Sequence, residues 1–448
     1  MPHLQHHTRC RIGLAAGLAL LLAACSSAQT ETPGAPDAAA NADWIGAWAA
    51  APYGPYPAGP LALLVPTGAL VLPPVPYFPD DQARDQSFRM RVHPTIGGER
   101  LRLRFSNLVS DRPVRFSAVR VAASVIGPVI DPARDQAVQF AGAPAVEIPV
   151  GAEVISDPVE LPFAFGENLA ISFHVDGESG PMTWHAVAFD VSYVGLPGGG
   201  DHTDDVLGLG FPQPTIGWFF LNGVDVERGS RLGTIVAIGD SITDGAYQVP
   251  ATDTRWPDWL ARRLQAEHLL MGVLNLGINS NTVTDAPDLS ANEGEPLLAR
   301  FERDVLGRAG VRAVVILEGT NDIPRGVPAA DIFDGLQTVA ARAQAAGLCV
   351  VVGTITPRLD ALPVLFGWNV PLHEPVRQEL NALIRASTAF DAIADFDAAL
   401  RNPALPSTPF VPYYFPDLLH PNSVGFQRLA AAVPLEALVP APVGNCGN

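Results

Sequence analysis

The sequence predicts an all-β sandwich or jelly-roll-like region over residues 44–228, followed by an α/β region over 229–435 built on a parallel sheet with helices on both faces. Three observations lead there. Apolar residues alternate with period two in the first part, and short unbroken apolar runs alternate with helical patterns in the second. Turns are frequent throughout, with 41 Gly and 43 Pro in 448 residues. A hydrophobic content of 48% supplies a sizeable core and, with only 17% charged residues, excludes general disorder.

In the first part, Phe88-Arg89-Met90-Arg91-Val92 and Leu101-Arg102-Leu103-Arg104-Phe105 alternate strictly. Further strand patterns cover 114–122, 146–150, 169–175 and 186–193. Short alternating strands with regular turns and no long amphipathic helix are the pattern of a sandwich. In the second part, strands are expected at 234–238, 273–276, 313–317, 349–354 and 392–396, and helices at 257–265, 329–346, 376–386 and 424–433. Unbroken apolar strands separated by helices are what a parallel sheet covered on both faces requires. Pro257 suits the first turn of its helix, where its missing N–H has no role, and Gly347 ends the longest one.

The first residues stand apart from both regions. Arg9 and Arg11 precede an apolar run over 12–24, which falls short of the roughly 20 residues that a membrane-spanning helix needs. Residues 1–24 therefore read as a secretory signal peptide. Leu22-Ala23-Ala24-Cys25 resembles a bacterial lipobox, in which Cys25 would be acylated and become the mature N-terminus; an ordinary cleavage site is the alternative. Residues 25–43 read as a flexible tether, and 436–448 as a C-terminal tail. The expectation is an exported protein held to a membrane, outer-membrane, periplasmic or at the cell surface, through its lipid anchor only. Such a compartment permits a bond between Cys349 and Cys446, although a buried thiol suits the apolar run around Cys349 equally well.

Acidic residues number 46 against 28 basic ones, every one of them Arg, for a net charge of −18. A chain so charged, without a basic stripe, repels phosphate backbones, so no nucleic-acid partner is expected. Asp240 and Asp244 have the wrong spacing for a metal-binding D-x-D pair, and no His/Cys cluster surrounds them, so neither metal nor organic cofactor is expected.

The residues with chemical potential collect at strand ends. The run 234–238 leads directly into Gly239-Asp240-Ser241-Ile242-Thr243-Asp244-Gly245, and ligands of open α/β sheets sit outside the carboxyl ends of the strands. Ser241 is thus placed where a nucleophile would be useful. The next strand ends at Asn275-Leu276-Gly277-Ile278-Asn279 and the third at Glu318-Gly319-Thr320-Asn321-Asp322. Gly277 could offer a closely approachable backbone N–H, and Asn321 a neutral amide, to a developing oxyanion. Either alone reads equally as a turn residue. After the fifth strand comes Asp417-Leu418-Leu419-His420. Histidine is the natural general base near neutral pH, and a carboxylate three residues upstream could orient its ring and favour the imidazolium. None of the other six histidines after the signal segment, at 93, 174, 185, 202, 268 and 373, combines a nearby acid with a strand-edge position in the α/β part.

Taken together and in order, these blocks resemble the SGNH or GDSL hydrolase family. The resemblance spans about 229–435 and implies a flavodoxin-like three-layer α/β/α fold and a serine esterase mechanism. Ser241 would be the nucleophile, His420 the base and Asp417 its orienting partner. The Ser241 N–H, the Gly277 N–H and the Asn321 side chain would form the oxyanion hole. One departure is Ser280, where many members carry a second Gly. The G-x-S-x-G elbow of α/β-hydrolases is absent. A narrower similarity is to a bacterial branch with a preceding β domain, related to xylan-degradation esterases. It rests on Trp44-Ile45-Gly46-Ala47-Trp48, the strand over 101–107, Ile155-Ser156-Asp157-Pro158-Val159, residues 220–226, Arg300-Phe301-Glu302-Arg303-Asp304 and Asp395-Phe396-Asp397. The expected activity is hydrolysis of short acyl esters, with O-acetylated carbohydrate as the first substrate class. The alternatives are acyl transfer to an alcohol by the same residues, or a surface-anchored carbohydrate-binding lipoprotein with an inactive hydrolase half. Oligomeric state is not legible in the sequence.

Overall fold

The computed structural model describes residues 43–58, 76–286, 294–359, 373–439 and 446. The expected signal segment and Cys25 lie outside the described residues. The described residues belong to one compact unit.

The first part contains β1 (Trp44–Ala49), β2 (Arg84–Val92), β3 (Gly98–Ser106), β4 (Val114–Ile126), β5 (Leu169–Glu178) and β6 (Leu221–Glu227), with shorter strands between them. They form two antiparallel sheets, one with β6 between β1 and β3, the other with β5 between β2 and β4. In register, Phe173 of β5 lies opposite Phe88 on one side and Val119 on the other. Phe88, Phe105, Phe116, Phe173 and Phe220 are buried, with neighbouring ring centroids 4.9 to 6.2 Å apart. Offset and edge-on aromatic contacts of this kind bind the two sheets together. The polar positions of the alternating strands are covered as well: Arg102 and Arg104 are buried, and both donate to Asp225, at 3.0 and 2.8 Å.

The strand expected over 186–193 is not there. The chain leaves strand geometry after His185, takes a left-handed turn at Phe189 (φ 47°), and pairs again only over Ser192–Val194. Residues 186–190 are nonetheless buried. Their backbone is satisfied outside any ladder, by Ile216 at the Ala188 N–H and by the Arg255 guanidinium at the Ala188 carbonyl. An apolar run reports burial, and here burial comes from packing beside the α/β part rather than from a sheet.

Among the described residues, the main sheet of the second part has five strands, β7 (Gly233–Gly239), β8 (Met271–Gly277), β9 (Val311–Leu317), β10 (Cys349–Gly353) and β11 (Ala392–Ala394), all parallel, in the order β8-β7-β9-β10-β11. This is the flavodoxin-like order. Its helices include α1 (Ser241–Asp244), α2 (Trp256–Ala266), α3 (Ala329–Ala345), α4 (Glu374–Ala386) and α5 (Ser423–Ala432). Alternate strand residues face opposite sides. Val236, Ile238 and Leu276 pack with Ile332 and Leu336 of α3 in a core continuous with the sandwich, while Ile235, Ala237 and Val315 pack with Leu260 of α2 and Phe426 of α5. The strand expected to run to 396 stops at Ala394, because the Asp395 side chain accepts from Ala398 N–H and starts a short helix, Phe396–Leu400. Cys349 and Cys446 are disulfide-bonded, which resolves the alternative left open by the sequence.

The sandwich sits directly against this sheet. Gly46 N–H donates to Thr234 Oγ1 at 2.8 Å, and the Thr95 hydroxyl both accepts from Val273 N–H and donates to Val273 O. A Cβ on Gly272 would stand 1.9 Å from the Gly46 carbonyl oxygen, so only glycine allows this approach.

Candidate active site

β7 delivers Ser241 through a turn with no spare room. A Cβ on Gly239 would meet Leu317 O at 2.1 Å. Asp240 then caps α1, its carboxylate accepting from Ile242 N–H at 2.8 Å. Ser241 is the first residue of that helix, so its own N–H has no intrahelical acceptor. Gly245 closes the turn in the left-handed region at φ 94°.

His420 arrives from the loop before α5. Phe415 N–H donates to His420 O at 2.9 Å, and the Asn422 side chain caps α5 by accepting from Val424 and Gly425. Ser241 Oγ lies 2.8 Å from His420 Nε2, and His420 Nδ1 lies 2.6 Å from Asp417 Oδ2. The carboxylate can only accept, so Nδ1 carries the proton and Nε2 is free to accept from the serine hydroxyl. Asp417 Oδ1 takes two further N–H groups, from Leu419 and His420, at 3.1 Å each. Burial alone would raise the Asp417 carboxyl, but the hydrogen bond and charge of His420 with these backbone donors outweigh it and hold the group below the usual range. Tyr247, which is exposed, lies with its ring 5.0 Å from the imidazole. A hydroxyl, an acceptor nitrogen and an orienting carboxylate in this order can generate a nucleophile and return its proton to a leaving group.

The other strand ends supply two polar loops. Asp322 gathers the loop after β8, accepting from Val283 N–H, Thr284 N–H and the Thr284 hydroxyl. Asn321, beside it, donates through Nδ2 to Asn281 O at 3.0 Å.

Gly277 does not fit the oxyanion role expected of it. Its N–H is engaged by Asn275 Oδ1 at 3.0 Å, and a Cβ there would lie 2.2 Å from Asp244 N. Glycine is needed at this position so that α1 can pack on β8. The free donor is three residues on. Ser280 has φ 64°, and its N–H has no acceptor among the described residues, whereas its carbonyl accepts from Arg325 at 3.0 Å.

The second half of the chain is similar to a known family. Residues 237–428 match the model of the GDSL-like Lipase/Acylhydrolase family. Over these residues the chain is similar to GDSL-like acylhydrolases. The protein is accordingly a serine esterase. Among solved structures, a carbohydrate acetylesterase from Sinorhizobium meliloti is similar at 18% identity, with 44% of this chain and 95% of that one covered and a TM-score of 0.36. An aryl esterase from M. smegmatis is similar at 19% identity over 44% and 95%, TM-score 0.37. An acetyl-xylooligosaccharide esterase from a Geobacillus is similar at 22% identity over 44% and 91%, TM-score 0.33. No curated protein matches the chain.

Several residues around the GDSL-like domain's site escaped sequence reasoning. Ser280 carried one signal, its place where a glycine is common. Arg300 lay in a motif of the β-domain branch but had no assigned task; it is fully buried and donates to Gly239 O, Leu276 O and Asn281 Oδ1. His185, set aside because it belongs to the β part, reaches Asp244 Oδ1 through Nε2 at 3.0 Å. Tyr53, also from the β part, donates to Asn279 O at 2.9 Å. Nothing in their local sequence marks either as a neighbour of the site.

Proposed function

We propose that this serine esterase removes short acyl groups, acetyl first among them, from polar alcohols such as carbohydrate, and that it acts by the Ser241–His420–Asp417 relay. The observation that carries the reading is the unbroken chain of contacts, 2.8 Å from Ser241 Oγ to His420 Nε2 and 2.6 Å from His420 Nδ1 to Asp417. Ser241 attacks the ester carbonyl as His420 takes its proton, and Asp417 stabilises the imidazolium. The tetrahedral oxyanion is received by the N–H groups of Ser241 and Ser280 and by the Asn321 amide, which exchanges its bond to Asn281 O for the oxyanion. His420 then protonates the departing alcohol. Water, deprotonated by the same nitrogen, releases the acid from the acyl-enzyme.

A polar alcohol is supported by the lining beside Ser280. Ser280 borders a cavity of about 440 Å³ in which Thr282, Asp285, Glu295 and Arg325 stand beside Leu108 and Pro52. A long acyl chain would call for a mainly apolar lining. The Cys349–Cys446 disulfide is compatible with an exported protein, and attachment through an acylated Cys25 is part of the same reading.

The test is a panel of acylated sugars and short aryl esters on wild type and Ser241→Ala. Turnover should fall by roughly 10³-fold or more in the variant, with acetylated sugars preferred over long-chain esters. Turnover near that of the folded wild type would reject the nucleophile, and a long-chain preference would reject the substrate class. For the anchor, Cys25→Ser should move the protein from the membrane to the soluble fraction; unchanged fractionation would reject acylation.

A further inference from the structure

The peptide unit between Asn279 and Ser280 is held from a direction that the GDSL-like domain does not itself supply. Its carbonyl oxygen accepts the Tyr53 hydroxyl at 2.9 Å. Tyr53 is 3% exposed and sits two residues after Ala51. The carbonyl of Ala51 in turn accepts His185 Nδ1–H at 2.9 Å, while His185 Nε2 meets Asp244, and Asp244 binds the Asn279 side-chain amide. Asn279 is thus gripped twice, at its backbone carbonyl by Tyr53 and at its side chain by Asp244.

The N–H of the same peptide unit belongs to Ser280. A non-glycine residue at φ 64° is held in a sparsely populated, strained region, and relief by rotation of the peptide would turn that N–H away. A hydrogen bond to the carbonyl oxygen opposes the rotation, and it also polarises the N–H at the other end of the unit.

We propose that Tyr53 is a positioning residue for ester hydrolysis: its hydroxyl fixes and polarises the Asn279–Ser280 peptide so that the Ser280 N–H faces the developing oxyanion. The inference rests on the reading of Ser280 as an oxyanion donor. It gives the β-sandwich part a direct task in turnover, because that part alone contributes the phenol. Burial, reinforced by the charge of Asp244, raises the Tyr53 hydroxyl far above its ordinary pKa, so it remains a donor across the working range.

The experiment is Tyr53→Phe in the full chain, with p-nitrophenyl acetate as substrate and phenylboronic acid as the probe that forms a tetrahedral adduct on a serine. The expected result is a fall in kcat of roughly fivefold to twentyfold, the scale of one hydrogen bond felt mainly in the transition state. KM should stay within about twofold, and boronate affinity should weaken by a factor parallel to kcat. The acid limb of the pH profile should keep its midpoint, since the His420–Asp417 contact is untouched. A kcat within twofold of wild type, or a kcat loss that boronate affinity does not follow, overturns the proposal. Should Tyr53→Phe fail to fold, Tyr53→Met, which also lacks the hydroxyl, is read in the same way, with parallel losses supporting the proposal and retained boronate affinity overturning it. The underlying site fails separately, through hydrolysis that survives Ser241→Ala. This inference fails through Ser241-dependent hydrolysis that Tyr53→Phe leaves unchanged.

Discussion

Arg300 donates to the carbonyl oxygen of Gly239 at 3.1 Å, so the last residue of the strand leading into Ser241 is tied to a fully buried cation. The same guanidinium reaches Leu276 O and Asn281 Oδ1, which joins the turn carrying Ser241 to the loop carrying Ser280. Asp304 and Glu318 lie beside it, at 3.3 and 3.5 Å. Lysine could not replace this set of contacts, because they use the planar fork of the guanidinium.

The carboxyls behind that cation shape the pH dependence of stability. Among the described residues, Asp240 Oδ2 and both Glu318 oxygens lack hydrogen-bond partners. Burial pushes Asp240 up to about 7 against the opposing Ile242 N–H, and burial with the charge of Asp240 raises Glu318. A folded state that keeps protons released by the unfolded chain loses stability as pH rises from about 4 toward 7. Asp417 is shifted the other way, so its contribution is present above the unfolded carboxylate range and is lost as pH falls through its depressed value. The thermal midpoint should therefore climb on acidification from pH 8 to about 5 and drop below about pH 4. Glu318→Gln should flatten the upper limb. A midpoint that keeps rising up to pH 8 would contradict this assignment.

Gly277 and Asn321 should separate cleanly in kinetics. Gly277→Ala forces a Cβ to within 2.2 Å of Asp244 N and should cost mainly stability, with a lower denaturation midpoint. Asn321→Ala should leave the midpoint nearly unchanged and cost about 10²–10³ in kcat. A fold-neutral Gly277→Ala with a large kcat loss would restore Gly277 as the donor. An Asn321→Ala effect confined to KM would make Asn321 a substrate contact.

The disulfide joins β10 to a cysteine 97 residues away. Closing so long a loop restricts the unfolded chain, so Cys446→Ser should lower stability by roughly 2–5 kcal/mol. Turnover at 25 °C should persist, since the bond is not part of the catalytic relay. Equal urea midpoints for the two forms would show that the bond contributes nothing to the folded state.

The sheet was legible because the five apolar runs of the second part have strand length and parallel strands all end on one side, which put Ser241, Asn321 and the 417–420 segment on a common edge. The order β8-β7-β9-β10-β11 came from family resemblance, not from periodicity. Two features could not be read. Whether Gly277 or Ser280 presents a free N–H depends on a local bond to Asn275 and on a left-handed turn, neither of which has a period. Tyr53 and His185 meet Asn279 and Asp244 across 226 and 59 positions, contacts created by sandwich-on-sheet packing that no short window contains. The run at 186–193 misled for a related reason, since burial against a neighbouring layer and burial within a ladder look alike in sequence.

Activation of Ser241 by His420 is the step on which hydrolysis depends. It is tested most directly by treating the protein with a serine-reactive fluorophosphonate and locating the adduct by peptide mass spectrometry. Stoichiometric labelling is expected on the peptide containing Ser241, slowed by at least about 10²-fold in His420→Ala. Labelling at another residue, or at Ser241 with an unchanged rate in His420→Ala, would contradict it.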